Sequence, residues 1–234
     1  MSAARSDLAL VDSLRERIAA GGGTLLGSGY QATVELFETP RGNVVVKRAH
    51  SGVLGCAARA ALARERRVYE RLDGIPGIPR ALGALDHNTL ILEYIPGPSL
   101  REHNTRLGDR TAFFDAFLMI LEAMHAAGVA HGDLKRKDNL LVGPDERPYI
   151  VDFGVASVEP GSRALWSNAM YRWMRQYDYN AWVKLKTRRQ LEPLTDEDAA
   201  LYRPTMLERI ARVIRVIWQK LTLRRVRRRI WPRR

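Results

Sequence analysis

Two short apolar runs with polar residues at their outer ends place the strongest constraint on how this chain folds. Residues 140–142 and 149–151 have the pattern of two strands joined by a Gly-Pro-Asp turn. Because a hairpin brings its outer ends together, Asp133 and Asn139 are expected to lie close to Asp152. Carboxylate and amide oxygens suit Mg2+, which proteins bind through one or two carboxylates together with substrate phosphates. The pattern therefore indicates the chemistry of phosphoryl transfer.

A glycine-containing turn between two strands occurs earlier, as Gly27-x-Gly29-x-x-Ala32-x-Val34. Glycines let backbone N–H groups approach a phosphate closely. Taken alone, the pattern fits an ordinary hairpin turn at least as well. Its position, 20 residues before a lysine within a strand, favours a phosphate-binding turn. The residues of this candidate turn and of the strand after it that stand out are Gly27, Ser28, Gly29 and Val34.

The strand lysine is Lys47, which directly follows three valines. A lysine in such an apolar setting costs stability unless its charge has a partner, although an edge-strand lysine facing water is the simpler alternative. Residues 57–72 form an amphipathic helical pattern in which Glu65 lies within the apolar stripe, whereas Glu70 points elsewhere. We therefore expect Glu65 to be the inward-facing partner of Lys47.

A change of pattern follows the next predicted hairpin, whose strands are residues 82–85 and 90–92. Strand signals then give way to a Pro/Gly segment and to helix, which predicts a lobe boundary after Glu93. Residues 110–128 form a strongly apolar helix with His125 near its end. We interpret His125 as a satisfied structural residue rather than a catalytic one.

Taken together, the ordered motifs resemble those of the protein-kinase-like superfamily: glycine loop, strand lysine, helix glutamate, hinge, His-x-Asp…Asn and Asp-Phe-Gly. This resemblance implies an α+β, two-lobed protein-kinase-like fold, with a small antiparallel β N-lobe and a shortened, mainly helical C-lobe. The short C-lobe and the His-Gly-Asp-Leu sequence are similar to those of small bacterial atypical kinases, including RIO-like and lipopolysaccharide-core kinases.

The resemblance also implies catalytic roles for four residues. Asp133 accepts or orients the proton of the attacking hydroxyl, and Lys135 neutralises the transferred phosphoryl group. Lys47 holds the ATP phosphates and requires its ion pair with Glu65.

The resemblance implies further residues in binding ATP and its metal ion, among them the residues of the glycine loop: Gly27, Ser28, Gly29 and Val34. Backbone groups of Glu93 and Ile95 hold adenine, with Leu92 guarding the pocket behind it. Asn139 and Asp152 hold Mg2+, with Mn2+ as an alternative.

Two departures from the usual kinase pattern lie in the catalytic loop. Asn139 follows Asp133 by six positions instead of five, so either the loop has one extra residue or Asp138 shares the metal. Gly132 stands where kinases regulated by phosphorylation have an arginine, so the usual Arg–phosphate switch has no arginine at this position. We expect a constitutively active enzyme.

The C-terminal part has fewer recognisable motifs. Aromatic residues crowd the segment 166–182, which we interpret as lobe core. Asp178 faintly resembles the helix aspartate that braces the kinase catalytic loop, with a solvated Asp as the alternative.

The predicted organisation of the whole chain has four parts: an N-terminal amphipathic helix and glycine joint (1–23), N-lobe (24–93), C-lobe (94–206) and a basic amphipathic helix and tail (207–234).

Charge is concentrated in that tail. Of the net charge of +12, residues 207–234 carry +10. The alternatives are a last helix with a basic end, an interfacial helix on an anionic membrane and, third, a nucleic-acid arm. Cys56 is the only cysteine and the N-terminus lacks a signal-peptide pattern, so we expect a cytoplasmic protein. If the tail binds a membrane, we expect a peripheral protein on the inner face of that membrane.

The sequence therefore predicts an ATP- and Mg2+-dependent phosphotransferase, a small atypical serine/threonine protein kinase. A kinase acting on a sugar hydroxyl of lipopolysaccharide core or another envelope glycolipid is the first alternative. A pseudokinase binding module is the second. Retention of Lys47, Glu65, Asp133 and Asp152 favours an active enzyme, because buried charges are costly to keep.

Overall fold

The computed structural model describes residues 14–18, 20–28, 32–51, 55–159, 165–187 and 195–203. Five strands form an antiparallel sheet in the N-terminal part, and helices dominate the C-terminal part. The predicted α+β fold class is confirmed.

Residues 14–18 are helical and are named α1. The remaining elements are β1 (Thr24–Ser28), β2 (Ala32–Thr39), β3 (Gly42–Ala49), α2 (Gly55–Arg71), β4 (Ala81–Asp86), β5 (Thr89–Glu93), α3 (Leu100–His103), α4 (Arg110–Ala126), β6 (Val129–Ala130), a 3-10 turn (Lys137–Asn139), β7 (Leu140–Val142), a second 3-10 turn (Pro144–Glu146), β8 (Pro148–Ile150), β9 (Ser157–Val158), α5 (Leu165–Lys186) and α6 (Asp196–Leu201).

The strand β3 occupies the middle of the sheet, whose order is β1-β2-β3-β5-β4. Alternation along β3 buries Val44 and Val46 on one face of the sheet. Lys47 therefore projects from the other face, on which Val45 packs against the main core. Its neighbours in register are Val34 on β2 and Leu90 on β5.

The helix α1 packs on the first of these faces. Leu14 and Ile18 are buried in a small cluster with Phe37, Val44, Val46 and Ile91. Arg48 donates a hydrogen bond to the carbonyl oxygen of Ile18 at 3.0 Å. The predicted amphipathic helix is thus confirmed for residues 14–18, and its predicted start lies outside the described residues.

The helical part of the molecule is built around α4 and α5. Asp109 caps α4 by accepting a hydrogen bond from the N–H of Ala112 at 2.9 Å, and Phe114 and Phe117 are fully buried. The Trp182 indole of α5 donates to the carbonyl oxygen of Phe114 at 2.8 Å. These contacts join the two long helices through a continuous apolar core.

The hairpin predicted at residues 140–151 is present. Leu140 pairs with Ile150, and the N–H of Val151 donates to the carbonyl oxygen of Asn139 at 3.0 Å. The residues that flank the two strands therefore meet at the open end of the hairpin, as the sequence predicted.

The prediction of an aromatic core over residues 166–182 holds only in part. Tyr171 and Trp182 are buried, but Trp173 is 55% exposed, so its assignment to the core was wrong. The side chain of Trp166 lies outside the described residues, as do Gly29 of the glycine turn and the whole tail 207–234. Among the described helices, none combines the length and hydrophobicity needed to cross a membrane.

Candidate active site

Lys47 forms a three-residue ionic cluster at the junction of the sheet and the helical part. Its Nζ atom lies 2.8 Å from a carboxylate oxygen of Glu65 on α2 and 2.8 Å from Oδ1 of Asp152, which follows β8. The side chain of Glu65 is 3% exposed and that of Asp152 is 46% exposed. The cluster thus runs from the protein interior to an open surface where a ligand has access.

The predicted orientation of α2 is confirmed. Its buried positions follow helical spacing, and Glu65 is among them. Glu70 instead makes an exposed ion pair with Arg66 at 2.7 Å, one turn back on the same helix. The two glutamates of α2 are therefore distinct in environment, and the inward one meets Lys47.

The cluster shifts the pKa values of all three residues. Burial alone would lower the pKa of Lys47, but the carboxylates of Glu65 and Asp152 outweigh it and the pKa is raised. Burial raises the pKa of Glu65 more than Lys47 lowers it. The pKa of Asp152 is lowered, because the charge of Lys47 overcomes the opposing effect of burial. Lys47 and Asp152 thus remain a charged pair at neutral pH.

Asp152 has an unusual backbone conformation, with φ at +66°. Non-glycine residues occupy this left-handed region rarely, and such strain often marks functional sites. The conformation is supported by Tyr69, whose hydroxyl accepts a hydrogen bond from the N–H of Asp152 at 3.2 Å. Sequence reasoning did not identify this role of Tyr69, which it placed only in the amphipathic pattern of residues 57–72. The available clue was that Tyr69 follows Glu65 by one helical turn and therefore lies on the same face of α2.

The catalytic loop places Asp133 beside Asn139. The Asn139 amide donates to the carbonyl oxygen of Asp133 at 3.0 Å, and Asn139 is buried. His131 is also buried, and its Nδ1 accepts from the N–H of Asp133 at 3.2 Å, while Nε2 lies 3.1 Å from the carbonyl oxygen of Val151. Nε2 therefore carries the proton and donates to Val151. The Asp133 carboxylate is 34% exposed and is accessible to an incoming hydroxyl.

Asp178 braces this loop from α5. Its carboxylate is fully buried and accepts hydrogen bonds from the N–H groups of His131 and Gly132, both at 2.8 Å. The bracing position suggested by the sequence is thus observed, and the solvated alternative is wrong. His125 Nε2 lies 3.2 Å from the same carboxylate. Its Nδ1 has no hydrogen-bond partner within the described part of the chain, so the prediction of a satisfied histidine holds for only one ring nitrogen.

The structure distinguishes between the two candidates for the second metal ligand. Both carboxylate oxygens of Asp138 accept from Arg101, at 2.6 and 2.8 Å, on the surface. This pair lowers the pKa of Asp138. Asn139 instead faces the loop interior beside Asp133. The geometry therefore favours Asn139, as the kinase resemblance implied.

Lys135 has a partner that the sequence did not reveal. Its Nζ lies 4.2 Å from the centre of the Tyr177 ring on α5, a cation–π contact. The predicted role in neutralising a phosphoryl group remains a prediction. The contact keeps the Lys135 ammonium against α5, two positions after Asp133.

The predicted nucleotide-binding residues that the structure describes lie on β1 and β2 and around the end of β5. Gly27 and Ser28 end β1, and Val34 pairs with Lys47 across two strands. Leu92 and Ile95 are buried around the transition out of β5. The N–H of Glu93 donates to the carbonyl oxygen of Arg80 at 2.9 Å. This contact fixes the end of β5, from which the chain passes to the helical part.

The donor set fits a magnesium ion completed by a nucleotide. Asp152 supplies a partly exposed carboxylate and Asn139 an amide oxygen, both hard oxygen donors. Within the residues that the structure describes, no cluster of three or more His, Cys, Asp or Glu side chains forms a protein-only cage. Such a site requires phosphate oxygens as further ligands.

The fold and the site define a class: a two-lobed α+β domain in which a Lys–Glu–Asp cluster joins the lobes beside a braced His-x-Asp loop. The family model for the protein kinase domain matches residues 22–178, and the chain belongs to this family. The match ends at Asp178, the bracing residue on α5.

The chain is also similar to curated proteins that are named as kinases. The chain is 32% identical over 154 residues to a putative cyclin-dependent kinase F-2 from Oryza sativa subsp. japonica, covering 57% of this chain and 46% of the rice protein. It is 31% identical over 153 residues to the serine/threonine-protein kinase PknE of Mycobacterium tuberculosis, covering 62% of this chain and 26% of PknE. The chain thus spans less than half the length of each of these relatives.

Proposed function

We propose that this protein is an ATP-dependent serine/threonine protein kinase that uses Mg2+. The observation that carries the proposal is the Lys47 cluster, in which one ammonium contacts both Glu65 and Asp152 at 2.8 Å. Active protein kinases require the strand lysine paired with the helix glutamate and the Asp-Phe-Gly aspartate in place. The serine/threonine kinases among the relatives support this acceptor class.

The chemistry assigned to the chain's own residues starts with Lys47. Held by Glu65, Lys47 binds the ATP phosphates and fixes their position, because its ammonium has little freedom within the cluster. Asp133 accepts the proton of the acceptor hydroxyl as the acceptor oxygen bonds to the γ-phosphorus and the bond from that phosphorus to its bridging oxygen breaks. Bound Mg2+ supplies neutralisation of phosphate charge. Asn139 and Asp152 are the side chains that would hold it.

The residue before Asp133 supports constitutive activity. In this chain, Gly132 replaces the arginine through which activation-segment phosphorylation usually acts, and its N–H is held by Asp178 at 2.8 Å. Because kinases in general brace this loop with such an aspartate, it is the absence of the arginine that supports constitutive activity. We infer that no phosphorylation is needed for activity.

The experiment that tests this function is a transfer assay with γ-labelled ATP and Mg2+. The acceptors are the protein itself, a mixed protein substrate and a lipopolysaccharide fraction, and Asp133→Asn serves as the matched control. Label on protein serine or threonine, absent with Asp133→Asn, supports the proposal. Label in the glycolipid fraction alone would establish the sugar-kinase alternative. ATP binding without transfer to any acceptor would indicate a pseudokinase.

A further inference from the structure

An apolar stripe on α5 is exposed to solvent beside the catalytic loop. Met170 and Trp173 are each 55% exposed, and the half-buried Tyr177 lies one turn further along the helix. Spacings of three and four residues place the three side chains on one face. The rings of Trp173 and Tyr177 are stacked, with centroids 5.5 Å apart and planes at 27°. An exposed tryptophan of this kind is uncommon on a surface that binds nothing.

The stripe is attached directly to the catalytic machinery. Lys135, two positions after Asp133, rests on the Tyr177 ring at 4.2 Å. Met174, which follows Trp173, packs so closely on Gly132 that a Cβ atom there would lie 2.2 Å from its Cε. Asp178, which follows Tyr177, holds the loop by two hydrogen bonds. The neighbouring face of α5 is thus locked to the loop, and the stripe has a fixed position relative to Asp133.

The helix α5 follows the Asp-Phe-Gly motif closely in the chain, since its described part begins at Leu165. A hydroxyl that reaches Asp133 must be carried by a molecule lying over the adjoining surface. Among the described residues on the α5 side, that surface includes Lys135, the Tyr177 ring beneath it and Trp173 stacked on Tyr177.

We propose that the Met170–Trp173–Tyr177 stripe binds the protein acceptor by an apolar side chain near the phosphorylated serine or threonine. This inference rests on the proposed kinase function and specifies its substrate. The occupant is a peptide segment because the family and its relatives point to protein acceptors, and an aromatic pair offers a rigid apolar surface to a Leu, Met or Phe side chain. The stacked rings need no rearrangement before they bind such a side chain.

The test uses the full chain and a serine peptide library in which one Leu is moved through each position flanking the serine. Trp173→Ala should raise the KM for the preferred Leu peptide by about tenfold, as expected for an aromatic interface anchor. Trp173→Phe should restore most of the affinity. The matched control is Met119→Ser, because Met119 is an equally apolar exposed residue, 71% exposed, on α4. It should leave the peptide KM unchanged.

Binding is measured separately on peptides whose serine is replaced by alanine, so the result does not depend on transfer. If Trp173→Ala abolishes peptide binding but no phosphate is transferred to the serine peptides, the docking surface is supported and the kinase proposal is overturned. Transfer without any Leu preference, or with a preference that Trp173→Ala retains, would overturn the docking surface alone. If Trp173→Ala raises the KM for ATP as much as the KM for the peptide, Trp173 supports the structure of the catalytic loop, and the docking surface is again overturned. If Trp173→Ala abolishes retention on glycolipid vesicles instead, the stripe is a sugar-stacking surface and the peptide assignment is wrong.

Discussion

A carboxylate oxygen of Asp152 lies 2.8 Å from the Nζ atom of Lys47, although 105 positions separate the two residues in the chain. This contact joins the central strand of the sheet to the end of the catalytic hairpin. Glu65 competes for the same ammonium from the buried side. The three residues therefore act as a unit whose members are expected to respond differently to substitution.

Replacing Glu65 with Gln is expected to lower turnover on the order of a hundredfold, because Lys47 loses the charge that holds it on the phosphates. Glu70→Gln is the matched control on the same helix. Its exposed pair with Arg66 is worth about 0.5 kcal/mol at most, so turnover should stay the same. Steady-state kinetics of both variants gives the comparison, and equal losses would show that the inward orientation of Glu65 has no catalytic consequence.

Asp133→Asn and Asp152→Asn are expected to fail at different steps. In the proposed mechanism Asp133 acts on the acceptor, so its loss should reduce turnover by about a hundredfold or more while ATP affinity stays near the wild-type value. Asp152 is proposed to hold the metal of the nucleotide complex, so its loss should weaken Mg-ATP binding at least about tenfold. Calorimetric titration with Mg-ATP distinguishes the two variants. Equal loss of nucleotide binding in both would contradict the separate roles.

Asn139→Ala is expected to weaken Mg-ATP binding, whereas Asp138→Ala is not. Both oxygens of Asp138 are engaged by Arg101 at the surface, and such exposed pairs contribute about 1 kcal/mol or less to stability. Nucleotide affinity measured over a range of Mg2+ concentrations reports the metal site directly. A larger effect of Asp138→Ala would assign the second ligand to Asp138.

The lowered pKa of Asp152 predicts a loss of stability in acid. Since the folded pKa lies below the usual value of 3.8, ionised Asp152 stabilises the fold above pH 3.8, and this contribution disappears as pH falls through the folded pKa. The contribution of ionised Glu65 to the stability of the fold has the opposite sign, because its raised pKa makes ionisation in the folded state unfavourable above the usual value of 4.5. Urea unfolding should show that the stability difference between wild type and Asp152→Asn is steady from about pH 7 to about pH 5 and changes below about pH 4. A stability difference between wild type and Asp152→Asn that does not change with pH would contradict the lowered pKa of Asp152.

We propose that the tail places the enzyme on an anionic membrane surface. Residues 207–234 lie outside the described structure, and their sequence alone supports the proposal. The seven basic residues within 224–234, at about 1 kcal/mol each near such a surface, are ample for binding. The full chain should sediment with anionic but not neutral vesicles, and higher salt should release it. A chain ending at Thr222 should stay in the supernatant and remain active, while RNA binding with a steep salt dependence would assign the tail to nucleic acid instead.

Local patterns in the sequence determined much of this site. Helical spacing along α2 identified Glu65 as the inward acid, and the two apolar runs of the catalytic hairpin predicted that Asn139 and Asp152 meet. Both inferences depend only on the periods of helix and strand, which are set by the backbone and can be read from neighbouring residues. The order of the motifs then indicated the kinase fold, which the structure and the family match confirm.

Only the tertiary structure decided between the alternatives that the sequence left open and revealed contacts that it did not indicate. It showed that Asp178 braces N–H groups 47 and 46 positions earlier instead of being solvated, and that the Tyr69 hydroxyl supports a backbone 83 positions later. A periodic pattern gives the face on which a residue lies but does not specify the partner of that face. For the same reason, the sequence assigned Trp173 to the core: aromatic residues favour burial, but the packing of α5 against the catalytic loop left its ring exposed.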